Sequence, residues 1–122
     1  MMNLKLRKNF LADVESAVVN AECKHPKICD EFCTKEKEEI QQLTKLYRFV
    51  NDQKEERNES EWYGVIKEEI YEALEAFAGK DYRNCLKELA QVAAVAVRGM
   101  EFVYRLTEEA KASEKFKGGK ND

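Results

Sequence analysis

Apolar residues return along the start of the chain at helical intervals. Leu4, Phe10, Leu11, Val14, Ala17 and Val18 fall on one side of a wheel turning about 100° per residue. The stripe predicts a helix over 4–20, closing near His25-Pro26, where proline disfavours helix in the residue before it. A short connection over 27–34 leads to a second stripe over 35–53, with Ile40, Leu43, Leu46, Tyr47 and Val50 on one side. The polar run NDQKEERNES that follows reads as a fraying helix end and a loop. Ser60, whose hydroxyl can accept from an unpaired backbone N–H, opens a third helix. That helix runs to about Ala78, and Gly79 supplies a left-handed cap. Asp81 caps a fourth helix reaching about Lys111, and the patternless tail from Lys115 (KFKGGKND) is expected to be disordered.

Helices with short connections predict an all-α chain built as a helical bundle. Its expected parts are an N-terminal helix and connection (1–34), an all-α core (35–112) and a tail (113–122). A length of 122 residues suits one domain. The formal charge of −3 argues against a protein that coats a nucleic acid polymer, which would need a basic stripe. A metal-bound mononucleotide remains open. Charged residues interrupt positions 1–20, so no signal peptide is expected, and the longest apolar run, Val92–Val97, is far too short to span a bilayer. These features predict a cytoplasmic protein without a membrane partner, whose thiols stay reduced.

Some acids fall on apolar faces. On the third helix, Trp62, Val65, Ile66, Ile70, Ala73, Ala76 and Phe77 share a face with Glu69 near its middle and Glu72 at its edge. Glu68 and Glu75 fall outside it and are expected to be solvated. On the fourth helix, Glu88 lies within the apolar face that includes Cys85, Leu89, Val92 and Val95, and Gln91 is on its flank. Burying an isolated carboxylate costs several kcal/mol unless it is paired or neutralised. Two such helices side by side can share a cation, and hard oxygen donors suit Mg²⁺. The plainer reading keeps these acids at the margin of the face, reaching water.

The acids stand as EEIYE (Glu68, Glu69, Glu72) and ELAQ (Glu88 to Gln91), separated by 15 residues. This resembles the EExxE…ExxD signature of the MazG-like all-α nucleoside triphosphate pyrophosphohydrolases, related to the dimeric dUTPases. Trp62, the GKD loop and ELAQVAAVAV agree with it, over roughly residues 40–106. The resemblance implies a four-helix core, here with an extra N-terminal helix, assembled as a homodimer or homotetramer. It implies hydrolysis of a (d)NTP to the monophosphate and pyrophosphate with Mg²⁺ or Mn²⁺. The implied ligands are Glu69, Glu72, Glu88 and Gln91, the same positions the wheel selects. Gln91 departs from the pattern, offering a neutral oxygen where the family has a carboxylate, although some phage- and prophage-type members carry Gln there.

If the site is active, Glu68 or Glu72 would orient or deprotonate the attacking water. Arg98 is a candidate for the phosphates, and Lys54, Arg57, Lys80 and Arg83 read as solvated charges. Trp62 could stack on a base, or simply fill the core. The alternative function is a non-catalytic helical interaction protein with a degraded metal site.

A separate cluster gathers Cys23, His25, Cys29 and Cys33 within 11 residues. Together they could form a tetrahedral zinc site, although the spacing matches no established zinc motif. The other readings are free thiols beside a histidine fixed by Pro26, or a catalytic cysteine paired with His25. Cys85 reads as a small core residue.

Overall fold

The computed structural model describes residues 4–28 and 31–120. Its helices are α1 (Leu4–Lys24), α2 (Lys37–Glu56), α3 (Trp62–Ala78) and α4 (Tyr82–Lys120). Among the described residues there is no strand, and the chain is all-α.

α3 is the central element, packed against α2 on one side and α4 on the other. The core is narrow: Ile40 and Thr44 of α2, Ala73 and Ala76 of α3, and Cys85 and Val95 of α4 are buried. The small side chains of α3 let its neighbours come close, and Cys85 Sγ lies 3.4 Å from the Ala73 carbonyl. Thr44 is fully buried, and its hydroxyl donates to the Ile40 carbonyl at 2.8 Å, with the Tyr71 carbonyl 3.3 Å away. At the other end of α3, the Trp62 indole N–H donates to the Val95 carbonyl at 2.7 Å. Gly99 makes room for it, because a Cβ there would stand 2.7 Å from Trp62 Nε1.

Among the described residues α2, α3 and α4 make a three-helix core rather than a closed four-helix bundle. Among the described residues, α1 packs on α4 alone. Phe10 meets Tyr104 edge-on, with ring centroids 5.6 Å apart, and Arg7 pairs with Glu101 at 2.7 Å. The rest of the predicted α1 stripe is less engaged, and Leu4, Leu11 and Val18 are exposed. The predicted α2 stripe is also rotated. Leu46 and Val50 are exposed, while Thr44 and Asn51 turn inward with Ile40 and Tyr47.

Element ends differ from the pattern for local reasons. α1 runs on to Lys24, and the His25 N–H still donates to the Ala21 carbonyl at 2.7 Å. α2 runs on to Glu56, and bonds from Asn58 to Glu55 and from Glu59 to Lys54 close it. α3 is capped by Glu61, not Ser60, and without a side-chain bond. There the pairing of Glu61 with Lys54 at 2.6 Å and the docking of Trp62 set the entry. Gly79 has φ −82°, and the left-handed residue is Lys80 at φ 61°. The Asp81 N–H reaches the Ala76 carbonyl and the Lys80 N–H reaches that of Phe77, a Schellman closure with Lys80 at its turning point. Asp81 does cap α4, its carboxylate accepting from the Asn84 N–H at 3.2 Å.

α4 passes its predicted end at Lys111 and continues to Lys120, over residues expected to be disordered. Ala, Lys and Glu, good helix formers, dominate from Glu108 to Lys117, and no glycine or proline interrupts that stretch before Gly118. The helix has 39 residues, roughly 58 Å at the α-helical rise, so its second half projects beyond α3. Among the described residues, no helix is long and apolar enough to cross a membrane.

Candidate metal centre

Helical spacing builds the site from one turn of α3. Glu68 and Glu72 are i, i+4, and Glu69 lies between them one turn back from Glu72, so all three acids rise from neighbouring positions. Each offers a carboxylate oxygen, and these oxygens lie within 4.8 Å of one another. All three residues are half-buried. Glu88 of α4 faces Glu69 closely enough to share a hydrogen bond with it.

Like charges this close cannot all be tolerated in poor solvation. Burial, foremost, and then the charges of Glu72, Glu88 and Glu68 push the Glu69 carboxyl up to about 7. The hydrogen bond to Glu88 acts in the same direction. Glu69 therefore keeps a proton near neutrality where an ordinary glutamate would not.

α2 supplies partners for the other two acids. Arg48 Nε donates to Glu72 at 3.1 Å, and this bond, opposed in part by burial, raises the guanidinium pKa above its ordinary value. The Asn51 amide donates to Glu68 at 2.9 Å and also to the Gly64 carbonyl at 2.9 Å. Gly64 permits this approach: a Cβ there would lie 2.7 Å from Asn51 Oδ1. Beside the acids opens a cleft of about 360 Å³, lined by Lys37, Arg48, Glu72, Asp81, Asn84 and Glu88 among others. Two cations, Lys37 and Arg48, and four carboxylates, those of Glu72, Glu75, Asp81 and Glu88, are among its lining groups.

The structure brings Glu69, Glu72 and Glu88 together as the helix phases predict, and it adds Glu68, which was expected to be solvated. Gln91 is exposed on α4, one turn beyond Glu88. Trp62 and Arg98 lie apart from that cleft. They line a second cleft, of about 950 Å³, with Phe102 and Arg105. Trp62 precedes Glu69 by seven residues, roughly 10 Å along α3.

Sequence reasoning missed Arg48, Asn51 and Lys37. A signal was present in Ile40, Thr44 and Asn51, whose i, i+4, i+11 spacing marks one face of α2. Two polar residues on such a face point to partners across it.

Of the cysteine–histidine cluster, Cys29 lies outside the described residues. Cys23 is exposed, Cys33 is half-buried, and its Sγ lies 3.5 Å from the Lys35 N–H. Among the described residues, Cys23, His25 and Cys33 do not converge on a common point; Glu68, Glu69 and Glu72 do. Cys85 is buried, and burial followed by the charge of Glu88 pushes its thiol up, as fits a core residue.

Compared with protein-family models, curated proteins and solved structures, the chain matches none.

Proposed function

We propose that this chain hydrolyses a nucleoside or deoxynucleoside triphosphate to the monophosphate and pyrophosphate, in the manner of the MazG-like pyrophosphohydrolases that its acidic motifs resemble. The observation that carries the reading is the convergence of Glu68, Glu69 and Glu72, with Glu88 against Glu69. An assembly of acids that raises Glu69 to about 7 is costly to the empty fold and favourable to a divalent cation.

The donors fit Mg²⁺ or Mn²⁺: hard carboxylate oxygens, no thiolate, and room beside them for phosphate and water. Glu69, Glu72 and Glu88 would hold the ion, with the Gln91 amide as a neutral addition. When bound, the ion supplies charge neutralisation for the phosphates and a lowered pKa for water. Glu68, oriented by Asn51, and Glu72, held by Arg48, are the carboxylates available to take the proton of the attacking water. Lys37 and Arg48 face the cleft where phosphate oxygens would lie. One observation favours the non-catalytic alternative: position 91 carries an exposed amide where the resemblance asks for a carboxylate.

The test is release of pyrophosphate from a panel of (d)NTPs with Mg²⁺ or Mn²⁺. The expected products are monophosphate and pyrophosphate, with activity falling by about 100-fold or more in Glu69→Gln. No turnover of any nucleotide by the folded chain, with Glu69→Ala indistinguishable from wild type, would leave the interaction protein.

A further inference from the structure

The cleft of about 950 Å³ lies between the starts of α1 and α3 and the middle of α4, away from the acids. Its apolar surface comes from Leu6, Trp62, Val65, Val95 and Phe102. Trp62 and Phe102 are each about half exposed. The indole is fixed all the same, because the Val95 carbonyl accepts its N–H at 2.7 Å. A ring that is held in place and partly in water is a stacking platform already ordered in the free protein.

The charges around this platform are unevenly neutralised. Each acid that lines the cleft has a cation: Glu61 has Lys54 at 2.6 Å, Glu101 has Arg7 at 2.7 Å and Glu108 has Lys111 at 3.6 Å. The two arginines have no acid. Among the described residues Arg98 makes no hydrogen bond, ion pair or ring contact. Arg105 lies over the Phe102 ring, 5.4 Å from its centroid. Arg98 and Phe102 are i, i+4 and Arg105 follows three residues on, so helical spacing sets both guanidinium groups beside the ring. Acids already answered and guanidinium groups left unanswered make the cleft locally positive.

We propose that this cleft binds a small aromatic carboxylate, its ring against Trp62 and Phe102 and its carboxylate on Arg98. Guanidinium and carboxylate match in planar geometry and can pair through two hydrogen bonds. An apolar body displaces water around that pair, which strengthens it. The volume is that of a small-molecule site, and walls from three helices make a recess rather than an extended groove for a peptide. A bare phosphate would leave the apolar surface uncovered, and an uncharged ring would leave Arg98 unanswered. Neither Trp62 nor Arg98 lines the cleft beside the acids. The inference therefore does not rest on the proposed reaction.

Titration of the full chain with 2-naphthoate, followed by nuclear magnetic resonance, tests it. Trp62 is the only tryptophan, so a single indole N–H signal reports from the cleft. A saturating shift is expected with a dissociation constant on the order of 100 μM, as a ligand of about 13 non-hydrogen atoms allows. No saturating shift up to about 5 mM would overturn the proposal. The neutral 2-naphthamide, with the same ring, is expected to bind about tenfold more weakly, and equal affinity would overturn the role of charge. Arg98 has no partner to lose, so Arg98→Gln should keep the helical circular dichroism. It should weaken 2-naphthoate by about tenfold and leave 2-naphthamide unchanged; unaltered binding of the acid would overturn the assignment to Arg98. Phe102→Ala should weaken both ligands by about threefold or more, and no effect would overturn the stacking. Arg48→Gln should leave binding intact; loss there would put the anion beside Glu72 and overturn the site. Neither metal nor nucleotide is present in these titrations, so their failure and failure of the proposed reaction stay distinguishable.

Discussion

Two regions of this chain break the ordinary rule of burial in opposite ways. At the junction of α2, α3 and the start of α4, acids are drawn out of water: Glu68, Glu69 and Glu72 are half-buried within 4.8 Å of one another. Along the outer face of α4, large apolar residues are left in water, with Leu86 and Val103 more than half exposed. The chain by itself bears the cost of both. The remedies differ in kind. On the proposed function the charge density would be relieved by a small, hard cation held by these carboxylates, whereas an apolar stripe is relieved by apolar contact. The contrast is one of chemistry: the first region presents hard carboxylate oxygens and the second apolar side chains.

Gly99 lies on the α3-facing side of α4, apart from both regions, and the largest expected effect comes from filling that position. Its α3-facing side receives Trp62, whose ring would lie 2.7 to 3.2 Å from an added Cβ. An indole cannot fold out of the way as the end of a lysine could. Gly99→Val should therefore lower stability by about 1–3 kcal/mol. Tryptophan fluorescence should shift as the ring leaves the Val95 carbonyl, and thermal melting should report the loss. A variant as stable as wild type, with unaltered fluorescence, would show that Trp62 does not clamp α3 to α4.

A smaller effect separates the acidic region from the apolar one by pH. The folded state raises Glu69 to about 7, above its ordinary 4.5. The native state thus binds this proton more tightly than the unfolded chain does. Its contribution is fully favourable below about 4.5 and is lost as pH rises through about 7. Glu69→Gln, neutral at every pH, should flatten this part of the stability profile. At pH 8 without metal it should be more stable than wild type by on the order of 1 kcal/mol, discounted for partial solvation. Mn²⁺ should raise the wild-type melting temperature at pH 8 and leave the variant unchanged. Parallel pH profiles for the two proteins would mean that Glu69 is as well solvated as a surface acid. The outer apolar face of α4 has no titrating member in this range and should not follow pH.

The two regions were also unequally legible in the sequence. Helix phase was enough to select Glu69, Glu72 and Glu88, because a charge inside an apolar stripe is conspicuous on one helix alone. Arg48 and Asn51 were not selected, since a polar residue on α2 gains meaning only once α3 is placed beside it. The same limit explains the rotated α2 stripe: Leu46 and Val50 made a plausible face by hydrophobicity, yet packing against α3 turned Thr44 and Asn51 inward. For α4, one wide apolar arc was visible, but hydropathy could not divide it between the side that meets α3 and the side left open. Only the position of α3 does that.

The smallest effect concerns the turn that joins the acids of α3 to Glu88 of α4. A sequence rule puts glycine at the left-handed position of a helix end, and here it is displaced by one residue. Gly79 takes φ −82°, which any residue adopts, while Lys80 bears φ 61°. The bonds from Lys80 to Phe77 and from Asp81 to Ala76 fix that register, so the chain cannot slide to relieve it without freeing both carbonyls. Lysine at such a φ is strained by roughly 1 kcal/mol, and glycine is not. Lys80→Gly should therefore stabilise the fold, by about 0.5 kcal/mol after the extra freedom of glycine in the unfolded chain is counted. Gly79→Ala, whose Cβ would meet only the Glu75 and Ala76 carbonyls at 3.5 and 3.7 Å, should be tolerated or slightly stabilising. Urea denaturation of both variants reads the difference. If Lys80→Gly were destabilising and Gly79→Ala strongly so, the left-handed residue would be Gly79 after all, and the approach of Glu88 to Glu69 would have to be drawn from a turn of different register.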